Sequence, residues 1–309
     1  MLQHKDYAII ERDLTSSEHD VFYWAGVAGE PFLDSGVLSY FDGTSVYLPT
    51  YPFGDQSQAD SAVTDFTKTV DAWSHRGEVE FINVFGPFAS CLSLPAGFDV
   101  AFAGEPEDWN VDLLVDLRDV EVLLARPNMK HRMRRAEKAG VCAVLNSDAC
   151  LSANHIALVR TLCARDDWGV SDVAGLLGAL ALIRSPQTTM FDARRGDELV
   201  GFAISHAFFA TRPFWIAAAF KPGVAGAADA VMGAMIPHYA SRGAVTLGLG
   251  FTAGPGHKYF KECWGGKARW PAPSQRIWKR CSSSARFDCS LDWGWRLLHG
   301  TWLSEAVMP

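Results

Sequence analysis

The chain has 309 residues, 49% of them hydrophobic, 20% charged and 12% aromatic, and it carries a formal net charge of −7. Such a length and apolar content can bury a sizeable core with room for two domains, and they exclude a long disordered chain. The acidic balance excludes a surface coated in nucleic acid, but it leaves room for one local basic patch that grips an anionic ligand.

Residues 35–49 read as a hairpin: Val37, Leu38 and Tyr40 lead into the turn pair Asp42-Gly43, and Val46, Tyr47 and Leu48 lead out. Residues 60–73 place Val63, Phe66, Val70 and Trp73 at helical spacing, and Gly77 ends that helix. Strands are expected over 79–84 and 111–117. Helices are expected over about 128–139, closed by Gly140, then over about 152–164 and 173–183. Strands at 188–192 and 198–209 flank the turn Arg195-Gly196-Asp197, and a third covers 214–220. A helix over 227–241 and a strand over 244–249 follow, whereas the Trp-rich segment beyond Lys267 is unassigned. The stretch Trp73-Ser74-His75-Arg76-Gly77-Glu78-Val79 is echoed by Tyr239-Ala240-Ser241-Arg242-Gly243-Ala244-Val245. Each is a helix end, an Arg-Gly stop and a strand, which points to two copies of one ββαβ unit.

Seven cysteines (Cys91, Cys142, Cys150, Cys163, Cys263, Cys281 and Cys289) stand singly, without a CxxC pair. This pattern fits small thiols in a reducing compartment better than disulfides or a zinc site. No apolar segment follows the N-terminal Met-Leu-Gln-His-Lys-Asp, and the apolar window 173–183 is too short for a bilayer, so a soluble, cytoplasmic protein is expected.

Three segments could carry chemistry. On a helix, Lys130, Arg134 and Lys138 share one face with Arg135 beside it, over an apolar base of Met129, Met133 and Ala136. Such a stripe suits a phosphate or carboxylate; the plain alternative is a solvated charged face. The loop Lys221-Pro222-Gly223-Val224-Ala225-Gly226 opens a helix whose free amides and dipole favour an anion, or it is only a glycine-rich turn. The third segment, 254–266, sets Lys258 and Lys261 three apart before Trp264-Gly265-Gly266. A Gly-x-Ser-x-Gly elbow, a His-Glu-x-x-His pair and a Walker lysine loop are all missing from the sequence.

In this order the segments resemble the FemABX aminoacyltransferases and the related GNAT (acyl-CoA N-acyltransferase) proteins. The run Arg134-Arg135-Ala136-Glu137-Lys138-Ala139-Gly140-Val141 is similar to that group's basic helix, and Tyr259-Phe260-Lys261-Glu262-Cys263-Trp264-Gly265-Gly266 to its closing motif. The likeness covers about 116–266. It implies an α/β tandem GNAT-like fold with mixed central sheets flanked by helices. A degenerate first copy would cover 1–115, a FemABX-like domain 116–280 and a Trp-rich extension 281–309.

The resemblance also implies a cleft between the two domains and direct acyl transfer to an amine, without a covalent enzyme intermediate, a metal or a permanently bound cofactor. The co-substrate would be acyl-CoA or aminoacyl-tRNA, and the acceptor a small or peptide-like amine; neither DNA nor a membrane span is expected. Lys261 holds the position of the family lysine that contacts acceptor or donor phosphate. Arg134, Arg135, Lys138 and Lys258 would add anion contacts, and Gly226 and Ala228 match the donor loop. Gly223 stands where that loop has Arg or Gln, and the coiled-coil arm of some Fem proteins is missing. His206, Asp192 and His257 are candidate general bases, although a core histidine without chemistry is the plainer reading of either ring. The rival functional reading is a binding or scaffold protein on a decayed GNAT frame.

Overall fold

In the computed structural model, which describes residues 30–34, 37–50, 59–104, 108, 111–146, 151–165, 188–207, 211–250, 252, 254–268 and 272–281, the turn at Asp42-Gly43 forms as its residues dictate. Gly43 takes a left-handed φ of 102°, and the Asp42 carboxylate accepts the backbone N–H groups of Thr44 at 2.9 Å and Ser45 at 2.7 Å. Strand β1 (Glu30–Asp34) precedes the hairpin of β2 (Val37–Phe41) and β3 (Ser45–Pro49). Helix α1 (Ala59–Ser74) then crosses to β4 (Phe81–Gly86), which lies parallel to β3. Phe66, Val70 and Trp73 of α1 pack on Val46, Leu48, Ile82 and Val84, and the Trp73 indole donates to Ser39 Oγ at 3.1 Å. Strand β5 (Phe98–Gly104) is one edge of this first sheet and β1 the other.

The first sheet is completed from the far end of the sequence. Strand β13 (Ser274–Arg280) lies between β4 and β5, so the order is β1-β2-β3-β4-β13-β5. A second domain drawn to residue 280 therefore ends too late, because 274–280 belong to the first of two compact units. The physical reason is specific pairing. The Gln275 side chain donates to Asn83 Oδ1 at 3.0 Å in a buried site, and Trp278 joins the α1 core. Arg280 also caps the end of α1, donating to the carbonyls of Ser74 at 3.0 Å and Arg76 at 2.6 Å.

The second unit holds β6 (Leu113–Asp116), α2 (Val120–Ala125), α3 (Pro127–Lys138), β7 (Val141–Asn146), α4 (Ala153–Arg165), β8 (Thr188–Arg195) and β9 (Glu198–His206). It continues through β10 (Phe214–Phe220), α5 (Ala227–Ala240), β11 (Thr246–Gly250), α6 (Pro255–Cys263) and β12 (Lys267–Ala268). The sheet order is β12-β6-β11-β10-β9-β8-β7, with β10 and β11 parallel and the other neighbours antiparallel.

Alternation along the strands sends Met190, Phe202, Ile204 and Ala217 to the face covered by Leu158 and Val159 of α4. The opposite parity reaches α5: Ser205 bonds Tyr239 at 2.7 Å, and Phe191 stands edge-on to His238. The expected helix over 173–183 and the extension beyond 281 lie outside the described residues. The fold class is as the resemblance implies: α/β, with two mixed sheets flanked by helices.

Candidate functional site

The second sheet opens between its parallel strands. β10 and β11 meet at Phe214↔Gly248, and beyond that point the rest of β10 pairs only with β9. Gly248 makes the junction feasible, because a Cβ there would stand 2.9 Å from Phe214 Cβ. A bulge between Trp215 and Ala217 turns the strand just past the junction, and the Trp215 indole donates to Ala217 O at 3.0 Å. A slot between two strands that share one pair and then part is a place where an extended ligand could lie.

At the far end of β10 the chain enters the loop 221–226. The Glu198 carboxylate meets Lys221 and Arg195 there, and those hydrogen bonds, Lys221 first, hold its pKa below the ordinary value. Gly226 is the N-cap of α5 at φ 82°, and a Cβ on it would lie 2.6 Å from Ala136 Cα. Glycine is thus required for α3 to cross the helix start. Gly223, where the donor loop of the resembled family has Arg or Gln, is an exposed left-handed turn facing open space. Ala228 lies in the first turn of α5, partly exposed.

One turn into α5 stands a residue that the sequence reading passed over. Asp229 is buried, and its Oδ1 accepts Arg132 Nη1 and Trp264 Nε1, both at 3.1 Å. Arg135 approaches Oδ2 at 3.9 Å. A carboxylate in the first helical turn is favoured by the dipole, and the arginine compensates its burial. The stripe on α3 therefore divides. Met129, Arg132 and Ala136 turn inward or half-inward, Arg135 leans toward Asp229, and Lys130, Arg134 and Lys138 stay on the exposed face. None of those three is in an ion pair among the described residues.

Lys261 is 3% exposed, unusual for an ammonium. Its Nζ donates to Gly250 O at the end of β11, at 3.1 Å, and lies 5.9 Å from the centre of the Trp215 ring. It is therefore at the junction of the two parallel strands. The following Trp-Gly-Gly terminates α6: the amides of Trp264 and Gly266 both donate to Lys261 O, at 3.1 and 3.0 Å. Gly265 is left-handed at φ 83°, and a Cβ on Gly266 would stand 2.8 Å from Lys261 O. Lys258, one turn earlier, is only half-buried and lies 3.9 Å from Glu262. His257 is half-buried in the first turn of the same helix.

The two candidate bases on the strands lie elsewhere. Asp192 accepts His155 Nε2 at 2.9 Å and Arg194 Nη2 at 3.1 Å, with Asn146 at 3.5 Å. Burial opposes its charge, but His155, Arg194 and Asn146 together hold its carboxyl below the usual range. It serves to pin α4 to the sheet. His206 is buried beside Thr188, whose Oγ1 is 2.9 Å from Nδ1, and burial pushes the imidazole down to about 4. Both share the parity of Met190 and Ile204 and so face α4, whereas Trp215, paired with Ser205, lies on the α5 face beside Lys261. The structure thus brings Lys261 to the slot, and Gly226, Ala228 and Arg135 around Asp229. It leaves Asp192 and His206 on the other side of the sheet. No group of three metal-ligating side chains occurs among the described residues, and no helix among them is long and apolar enough to cross a membrane.

No protein-family model matches the sequence, and no curated protein matches it either. Solved structures do. The C-terminal domain of an Agrobacterium fabrum protein named as a lysylphosphatidylglycerol synthetase is similar at TM-score 0.53 and 13% identity, covering 88% of this chain and 92% of its own. A conserved protein of unknown function from Bacteroides thetaiotaomicron reaches TM-score 0.57 at 10% identity, over 90% of this chain and 98% of its own. A tandem GNAT protein from the clavulanic acid biosynthesis pathway aligns over 87% of this chain and 90% of its own, at TM-score 0.41 and 12% identity. At these identities the likeness is one of fold.

Proposed function

We propose that the second unit is an N-acyltransferase of the GNAT type, FemABX-like in the sense of its closing motif. It would move an acyl or aminoacyl group from an activated donor to a small or peptide-like amine. The observation that carries this reading is the slot opened where β10 and β11 part, with a bulge at its apex and a buried lysine beside it. The donor's arm would lie in the slot and its phosphates near the loop 221–226. The acceptor nitrogen attacks the donor carbonyl carbon, the carbon–sulfur or carbon–oxygen bond to the leaving group breaks, and the amine proton passes to that group through water. Bringing the two reactants together supplies most of the acceleration. Lys261 would offset negative charge on a donor phosphate or on the carbonyl oxygen as it develops. His206, pushed down to about 4, is a weak base, and the bases on the α4 face take no part in this scheme.

The donor is acyl-CoA or aminoacyl-tRNA. The exposed row Lys130, Arg134 and Lys138 supports a donor carried on RNA, because successive cations about 6 Å apart along a helix suit a phosphate chain better than one compact nucleotide. A decayed, binding-only frame is favoured by one feature, Gly223 standing where the donor loop of the resembled family has Arg or Gln. Mass spectrometry after incubation with acyl-CoAs, charged tRNAs and candidate amines separates these readings. Transfer from one donor, blocked by Lys261→Met, is the expected result; no product and no donor-induced stabilisation with any of them would sink the enzyme.

A further inference from the structure

A lysine only 3% exposed must be held in place, since leaving its ammonium without acceptors would cost more than most contacts return. The Nζ end donates to Gly250 O and faces the Trp215 ring. The other end is held by a short arm. Lys261 O binds the amides of Trp264 and Gly266, Trp264 is fully buried, and its indole N–H reaches Asp229 Oδ1. Asp229 stands in the first turn of α5, immediately after the loop 221–226. Arg132 shares the same carboxylate oxygen and crosses the Phe260 ring at 5.5 Å, so α3, α5 and α6 converge on one atom.

We infer that Trp264 and Asp229 are positioning residues, which set the Lys261 ammonium at a defined distance from the start of α5. The inference rests on the role given to Lys261 under Proposed function, but the lock itself is a property of the fold. A tryptophan that merely fills the core would tolerate loss of its N–H; one that positions Lys261 would not.

The test uses Trp264→Phe, which keeps an aromatic ring and removes only the donor, and Asp229→Asn, which keeps the acceptor oxygen and removes the charge. Lysine reactivity toward acetic anhydride is read residue by residue by mass spectrometry, with Lys130 and Lys138 as exposed standards. In W264F, Lys261 should label ~10-fold faster relative to those standards, as expected when one buried hydrogen bond no longer resists local opening. In D229N it should stay within about twofold of the native chain, because the indole keeps its acceptor. With an active donor, W264F should lower kcat ~10-fold and leave KM nearly unchanged, the mark of misplacement rather than lost binding. Unchanged Lys261 labelling in a folded W264F overturns the inference, and so does labelling in D229N as fast as in W264F. If the native chain transfers nothing, the proposed function fails while the labelling still decides the lock.

Discussion

Both units contain a parallel pair of strands joined by a helix, and the two pairs are built in opposite ways. In the first unit β3 and β4 are paired from Ser45↔Phe81 through Pro49↔Phe85. Thr50 extends the seam, its N–H donating to Phe85 O at 2.7 Å and its Oγ1 accepting Phe88 N–H at 3.3 Å. Gly86 admits that approach, since a Cβ there would lie 2.7 Å from Thr50 Oγ1. In the second unit the register of β10 and β11 holds the single pair Phe214↔Gly248, and the seam is extended on one side alone, by Val245 N–H donating to Thr211 O at 2.8 Å and Gly248 N–H to Pro213 O at 2.9 Å. The same connectivity thus yields a pair sealed along its length in one unit and a pair that parts beyond Phe214 in the other. Backbone groups in the sealed ladder satisfy each other, so nothing there is left for a ligand; a ladder that ends early frees amides and carbonyls to bind something else.

The contrast can be broken most sharply at Lys261. Replacing it with Met should lower transfer ~100-fold, the scale expected for removing one electrostatic stabiliser, while circular dichroism stays native. Retained activity in K261M would move the chemistry away from the slot.

Acid should then distinguish the units. The folded pKa of His206, about 4, lies below its unfolded value of 6.5, so between those values the unfolded chain binds a proton that the folded chain does not. Stability is therefore intact above the unfolded value and falls as pH drops through that window, by ~3 kcal/mol from this group. The depressed Asp192 carboxyl adds a loss of the same sign at lower pH. Hydrogen exchange should show β8 and β9 loosening before β3 and β4, and His206→Gln should flatten the trend. Equal loosening of both sheets would contradict the assignment.

Unsealing the first unit should matter less. Thr50→Val removes the side-chain link to Phe88 and should cost about 1 kcal/mol in urea unfolding, with transfer unaffected. An activity loss there would show that the first unit takes part in the chemistry. The smallest stability effect belongs to the exposed row: K130Q/R134Q/K138Q should shift unfolding by less than about 0.5 kcal/mol. If the donor is carried on RNA, the triple change should flatten the salt dependence of its binding by about two units of slope, whereas binding of CoA should not respond. Unaltered RNA binding in the triple variant would remove the row from the site.

Much of the frame was legible in the sequence. The Asp42-Gly43 hairpin, the helices at 60–73, 128–139 and 227–241 and the strand at 214–220 are local patterns, and each appears within a residue or two of its expected place. The Arg-Gly echo is real in connectivity but not in backbone, since Gly243 is left-handed and Gly77 is not. The site was legible in part. Lys261 and Gly226 carry local signals, whereas Arg132, Asp229 and Trp264 are joined across 97 and 35 residues and signal nothing singly. A lone Asp after two alanines at a helix start was the one hint available for that cluster.

What the sequence determined by itself was the set of elements and the glycines at their ends, because periodicity and positive φ are local requirements that only certain residues meet. Tertiary structure decided which side of the sheet each candidate faced, and so placed His206 and Asp192 against α4 and Lys261 beside Trp215. It also decided where β13 belongs. Strand pairing is made between segments that share no local code, so a strand late in the chain completes an early sheet when its buried partners, here Asn83 and the α1 core, are satisfied by it.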